Sequence, residues 1–374
     1  DVQTLFAESL MNLNPWKLWS LDGRPAPGTE EIVATLESVL ARDPNHPGAN
    51  HYYIHAVEAS ANPGKALPSA GRLGPSMPLA GHLVHMPAHI FQRVGRYGEA
   101  SKANEEAAAA DHKYLSLTEP PGYYPMYLGH NYMFLAFSAA MEGRSRDSIA
   151  AARASTGVVP AHVIGMMPGM DFYISEPYPA LVRFGKWDEI LAEPKPAENY
   201  PVLTGLWLFA RGMALASKGN VMEAKGILAS LSALLEKIPA DMPAGYNSAR
   251  DVLGLAQEVL SARIAQVRGK LPEAIRLYES ATAREDRLAY NEPADWFFPV
   301  RHLLGAALLQ AGKASEAEAV YQEDLRRNPN NGWALQGLAQ ALAAQGKQEE
   351  AAKTETAFRE AWKGADIQIV SSAF

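Results

Sequence analysis

Cysteine is absent from the 374 residues, so the chain can form no disulfide, no thiolate metal site and no cysteine nucleophile. That lack suits an oxidising and a reducing compartment equally, which leaves an exported or periplasmic location and a cytoplasmic one both open. No apolar run is long enough to span a membrane as a helix. Basic residues are outnumbered, 34 Lys and Arg against 41 Asp and Glu, for a formal net charge of -7. No dense Lys/Arg cluster offsets that balance, and the electrostatic footprint that nucleic-acid binding needs is missing. The sequence also lacks a GxSxG elbow, a Walker-type glycine loop, a dinucleotide fingerprint and an EF-hand loop. Serines near the histidines described below, such as Ser60 and Ser69, show no arrangement that marks a nucleophile. A starting Met is missing too: the chain opens at Asp1 with "DVQTLFAESLMNL", an amphipathic helix with no basic segment before it, as expected of a processed or trimmed product.

What is present is helical pattern. At 48% hydrophobic and 20% charged residues the composition is that of a folded soluble protein. Apolar residues recur at three and four, period-2 alternation is rare, and an all-α fold is expected.

A repeat is written into the second half. In "RHLLGAALLQAGKASEAEAVYQEDLRRNPNN" small residues stand at Gly305 and Ala317, large apolar ones at Leu304, Leu308 and Tyr321, and a helix-ending proline at Pro329. The scheme returns at Leu338, Ala339, Leu342, Ala351 and Phe358 around "AQGKQEEA". This resembles the tetratricopeptide repeat (TPR), which implies a right-handed superhelix of antiparallel helix pairs. Fainter copies place small residues twelve apart at Gly212 and Ala224, Ala262 and Ala274, and Ala88 and Ala100, with turns "SKGN", "VRGK", "QAGK", "AQGK" and "RVGRY" between them. We expect an irregular helical-repeat region over 1–196 and a regular array over 197–374. The first part is interrupted by "LDGRPAPGTEE", "EPPGYYP" and "GMMPGMDFYISEPYP", and the junction is read at "AEPKPAENYP".

Six of the ten histidines, His46, His51, His55, His82, His85 and His89, lie within residues 46–89, where even spreading would place about one. In "HYYIHAVE" His51, His55 and Glu58 share one helix face; in "GHLVHMPAHIF" His82, His85 and His89 share another. Facing stripes of this kind on packed helices are how helical metal sites are built. His130, in the aromatic-rich "YYPMYLGHNYMFLAF", is placed to complete the coordination. Five histidines and a glutamate exceed the needs of one tetrahedral ion, so either some act behind the ligands or two metals sit close together. An imidazole and carboxylate donor set suits a transition metal, Zn, Cu or Fe, better than Ca or Mg.

His51 and His55 have the spacing of a metalloprotease helix, but Tyr52 stands where the general-base Glu would be required. Met86, Met126, Met133, Met166, Met167 and Met170 lie near these segments in sequence; thioethers would favour Cu(I), yet methionine more simply fills irregular core gaps. His46 in "DPNHPG" reads as turn chemistry, and His112, His162 and His302 as ordinary core or surface polar groups. Glu176 reads as a loop carboxylate that caps a helix or closes a pocket.

The segments "HPGANHYYIHAVEAS" and "AGHLVHMPAHIFQRVGRY" resemble a group of bacterial TPR proteins of uncharacterised function, over roughly residues 1–145. In that group the positions equivalent to His51, His55, His82, His85 and His89 are the recurrent feature. The resemblance implies an additional N-terminal helical region and, in some members, export; it implies no reaction. Two readings follow. In one, a metal between helices near 50–60 and 78–94 serves hydrolytic or oxidative chemistry on a small-molecule substrate, its imidazoles oriented by Glu58 or Asn131. In the other, the chain is a non-enzymatic scaffold that binds a protein or peptide in its repeat groove, with structural histidines.

Overall fold

The computed structural model describes residues 1–119, 122–165 and 168–374. The expected all-α class holds: among the described residues the strands are one two-residue hairpin, Pro243–Ala244 with Asn247–Ser248, and everything else of regular structure is helix. No helix among them is long and apolar enough to cross a membrane.

Two compact units are present, Asp1–Ser138 with Tyr290–Glu292, and Ala139–Ala289 with Pro293–Phe374. The "AEPKPAENYP" stretch lies inside the second unit, where helices Pro177–Arg183 and Trp187–Ala192 pack on Pro201–Ser217.

The second unit carries the regular pairs: Pro201–Ser217 with Val221–Lys237, Ala249–Val267 with Leu271–Glu285, Val300–Gln310 with Ala314–Arg327, and Gly332–Ala344 with Gln348–Ala361. One turn closes each pair. Gly219, Gly269, Gly312 and Gly346 all take φ between 74° and 85°, left-handed backbone that a Cβ would strain. The next residue's N–H returns to the carbonyl five back, as in Lys313 to Leu308 at 2.9 Å and Lys347 to Leu342 at 3.1 Å, a Schellman close. The spaced small residues Ala224, Ala262, Ala274 and Ala317 are fully buried at the contacts between paired helices.

Tyr321 shows what such positions accomplish. Its ring passes between Gly305 and Gly337; a Cβ at either glycine would come within 2.3 or 2.2 Å of its Cζ. Gly337→Ala should therefore lower the unfolding free energy by about 1–3 kcal/mol despite the better helix former, because overpacking outweighs propensity. Gly226, in an exposed helix turn with nothing within 4 Å of its Cβ position, is the counter-case: Gly226→Ala should stabilise by about 0.5–1 kcal/mol. Denaturant midpoints of the two variants check both signs.

The first unit is irregular for a local reason, proline. Helices Val2–Met11, Thr29–Arg42, Pro47–Glu58, Leu67–Ser76, Gly81–His85, Pro87–Arg93 and Tyr97–Leu117 follow one another around a core of Ile32, Leu36, Ile54, Leu73, Met86 and Ile90. The "RVGRY" turn has the same build as those above, with Gly95 at φ 74° and Arg96 N–H on the Phe91 carbonyl at 2.7 Å. The segment read as one helix over 78–94 is two, broken at Met86, because Pro87 has no N–H to continue the ladder.

Candidate metal centre

Helix Pro47–Glu58 starts on His46, whose Nδ1 accepts from the Ala49 N–H at 3.1 Å, and Pro47 fills its first position. His46 is thus turn chemistry, as its sequence context indicated. The cap sets the phase that brings His51, His55 and Glu58 to one face.

Opposite stand the two short helices. Met86 keeps right-handed helical backbone through the break, so His82, His85 and His89 still share a side. Gly81 lets this segment approach helix Tyr97–Leu117: a Cβ there would fall 1.9 Å from an Asp111 oxygen. Asp111 in turn accepts from the Tyr124 hydroxyl and the Asn131 amide, each at 2.7 Å. Those bonds seat the helix Pro125–Met141 that carries His130. Asn131 uses its amide N–H in this anchoring, and its Oδ1 is buried with no hydrogen-bond partner.

All seven sequence-derived residues converge. Ligand atoms of His51, His55 and His82 lie within 4.8 Å of one another; so do those of His85, His89 and His130, and those of His55, Glu58 and His89. The His82 and His51 Nε2 atoms are 3.1 Å apart and those of His85 and His89 2.9 Å.

The second ring nitrogens have their own partners. Glu58 accepts from His55 Nδ1 through one oxygen at 2.8 Å and from His89 Nδ1 through the other at 2.5 Å. His85 Nδ1 faces the Asn104 carbonyl oxygen at 2.7 Å, and the Asn104 amide is held on the Ala100 carbonyl at 2.8 Å. These bonds place a proton on each Nδ1 and leave Nε2 of His55, His85 and His89 pointing into the cluster, where the Nε2 of His89 would have to give up its own proton to ligate. His82 Nδ1 is buried with no hydrogen-bond partner.

Electrostatics separates the imidazoles into two kinds. Burial, reinforced by the neighbouring rings, lowers His51 to about 2 and His82 to about 3, and holds His85 and His130 well below the usual histidine range. These four are neutral at pH 7, the state that ligates. His89 is opposite: burial is outweighed by the Glu58 and Glu292 carboxylates, which raise it to about 10. The same pairing, against burial, holds Glu58 below the usual carboxylate range.

Glu292 is a participant that sequence spacing could not find. Its carboxylate lies 3.1 Å from His89 Nδ1, takes the Tyr290 hydroxyl, and is pushed up to about 8 by burial and by Glu58. Nothing ties residue 292 to residue 89 in a linear reading. Asn104 was findable: it is a polar side chain on the face of Tyr97–Leu117 where Ala100, Ala103 and Ala107 are buried.

Aromatic rings enclose the group. Phe134 is fully buried with its ring 4.6 Å from those of His85 and His89. Tyr52 stacks on His51 at 5.0 Å, Tyr127 lies 5.1 Å from His82, and Trp16 meets His55 edge-on at 5.4 Å. Trp16 is half exposed and sits at φ 62°, a conformation a bulky residue adopts only when its surroundings impose it.

Of the methionines, Met86 is core filler and Met166 and Met167 lie outside the described residues. Met170 and Glu176 belong to the second unit, where Glu176, buried and near Asp295, is pushed up to about 8. His302 is a core polar group, bonded to Asp324 and Arg183 at 2.8 Å each.

Paired antiparallel helices closed by one recurring turn define an all-α helical-repeat protein. Residues 299–354 match the tetratricopeptide repeat family model, and the helix pairs of the second unit have the build of such repeats. A stretch of 111 residues is 36% identical to cellulose synthase operon protein C of Xanthomonas axonopodis pv. citri (strain 306). That match spans 29% of this chain and 7% of the relative's length. Among solved structures, the human IFIT1 dimer with m7Gppp-AAAA aligns over 96% of this chain and 72% of its own, at 16% identity and TM-score 0.38. The P58(IPK) TPR domain aligns over 96% and 92%, at 14% and 0.28.

Proposed function

We propose that the first unit binds two transition-metal ions, one on His51, His55 and His82 and one on His85, His89 and His130, as the centre of a metal-dependent enzyme. The observation that carries this reading is the pair of Nε2 contacts at 3.1 and 2.9 Å. Two imidazoles on one tetrahedral ion, with metal–nitrogen bonds of about 2.0–2.1 Å, place their nitrogens roughly 3.3 Å apart. The neutral state of four rings supports it. Zn, Cu and Fe all accept such a donor set.

Three protein ligands per ion leave a further position, the pattern of catalytic rather than structural sites. When bound, an ion there would polarise a substrate oxygen or make a bound water nucleophilic near neutral pH. Glu58 and Asn104 would orient the ligand rings, and Trp16, Tyr52 and Tyr127 would form the wall that a small-molecule substrate meets. The helical repeats suit a protein partner, since stacked pairs present extended surfaces; docking there and metal chemistry in the first unit are compatible.

The test is plasma mass spectrometry on untagged protein purified without added metal. Two equivalents of Zn, Cu or Fe are expected, and His51→Ala/His89→Ala, which removes one ligand from each group, should lose both. Folded wild type that is metal-free and fails to take up added Zn or Cu sinks the proposal.

A further inference from the structure

Residues 366–374 follow the last helix without regular structure, yet they are docked. Asp366 accepts from the N–H groups of Ser145 and Arg146 at 2.8 and 2.9 Å, and the Trp362 indole N–H holds the Ile367 carbonyl at 3.0 Å. Beyond this anchor the strap contacts the first helix of one pair after another, in reverse order. The Val370 carbonyl takes the Gln340 amide at 2.7 Å, from Gly332–Ala344. Ser372 Oγ donates to the His302 carbonyl at 2.7 Å, from Val300–Gln310. The Phe374 ring lies 5.4 Å from the Arg263 guanidinium, from Ala249–Val267, and meets Trp187 edge-on at 5.0 Å. Val370, Ser372 and Phe374 thus each serve one helix pair, a spacing of two residues.

The serine position is the built part. Ser372 is fully buried and its Oγ also lies 2.6 Å from the Tyr321 hydroxyl. Tyr321 reaches it from the second helix of its pair only because Gly305 and Gly337 leave a slot for the ring. Val370 is held through its carbonyl alone, its side chain 86% exposed.

We infer that the strap is a displaceable resident ligand of this face, and that the partner it stands in for is an extended peptide carrying serine with an aromatic two residues later. Specificity comes from the Tyr321 hydroxyl and the His302 carbonyl, which meet a small hydroxyl side chain, and from Trp187 with Arg263, which accept an aromatic ring. The chain's own strap competes with such a partner at the high effective concentration of a short tether. This inference uses only the second unit and is independent of the metal reading.

The probe is a fluorescein-labelled synthetic peptide, IQIVSSAF, titrated with the full chain and read by anisotropy. Ser372→Glu puts a charge in the buried slot and should release the strap. The variant is expected to bind the peptide one to one, at least tenfold more tightly than wild type. Adding Tyr321→Phe to that variant should weaken binding about tenfold, while a peptide with alanine for the first serine should bind as well as the parent. Equal binding by wild type and Ser372→Glu, or no binding by a variant whose circular dichroism is native, overturns the inference. Should Ser372→Glu fail to fold, wild type decides: excess peptide must speed tryptic cleavage after Lys363, and unchanged cleavage refutes displacement.

Discussion

Chelator-treated protein is expected to lose stability steeply as pH falls below about 6.5. His51 and His82 stand at about 2 and about 3 in the fold, and His85 and His130 well below the usual range. In the unfolded chain all four take a proton near 6.5. Below that pH the unfolded state binds more protons, so unfolding becomes easier with every step toward acid. Each such histidine contributes up to about 1.4 kcal/mol per pH unit, and four together about 5. Against a net stability of roughly 5–15 kcal/mol, one to three pH units suffice to unfold the chain.

The alkaline side has a gentler slope. His89, raised to about 10, contributes stability that is complete below its unfolded value and is lost as pH climbs toward 10. Glu292, raised to about 8 from the ordinary carboxylate range, favours the fold at low pH and loses that contribution as pH climbs from that range to 8. Glu58, lowered by its histidines, adds an acid-side loss only below the ordinary carboxylate range. Thermal melts of chelator-treated protein from pH 5 to 9 should therefore peak between about 6.5 and 7. Added zinc should shift the acid limb to lower pH, because it binds the neutral rings. A midpoint flat from pH 5 to 7 would mean that the imidazoles are not held neutral by the fold.

How far the sequence disclosed this centre depends on the range of each interaction. Stripes at three, four and seven residues are local, so His51, His55 and Glu58, and His82, His85 and His89, could be read directly. That the stripes face each other followed from packing consecutive helices. His130 rested on composition, and what seats it is an Asp111 contact that only a glycine at 81 permits. Glu292 arrives across 203 residues, a separation at which no periodicity carries information. The repeat was legible because its turn demands glycine at one place and its helix contacts demand small residues twelve apart. The strap was not: "IQIVSSAF" has no helical period, and its partners are chosen by three-dimensional proximity to Tyr321, His302 and Gln340.

Glu58 and Asn104 separate a two-ion centre from a single ion. Glu58 serves one imidazole in each proposed group, His55 through one oxygen and His89 through the other, whereas Asn104 serves His85 alone. Glu58→Ala should therefore weaken both ions, each by about 10–100-fold, the usual cost of losing a ligand's outer hydrogen bond. In the metal-free state it leaves the buried His89 cation with Glu292 as its remaining carboxylate neighbour. The expected loss there is about 3–5 kcal/mol, that of breaking a buried ion pair from one side. Glu58→Gln keeps one acceptor and should recover one orientation but not the ion pair. Asn104→Ala should weaken only the ion on His85, His89 and His130, leaving one equivalent bound tightly. Isothermal titration of chelated protein with zinc resolves these outcomes. Two sites in wild type, two weakened in Glu58→Ala and one weakened in Asn104→Ala fit the paired arrangement. A single site that disappears in Glu58→Ala would instead make Glu58 a ligand, with His55 and His89, of one ion.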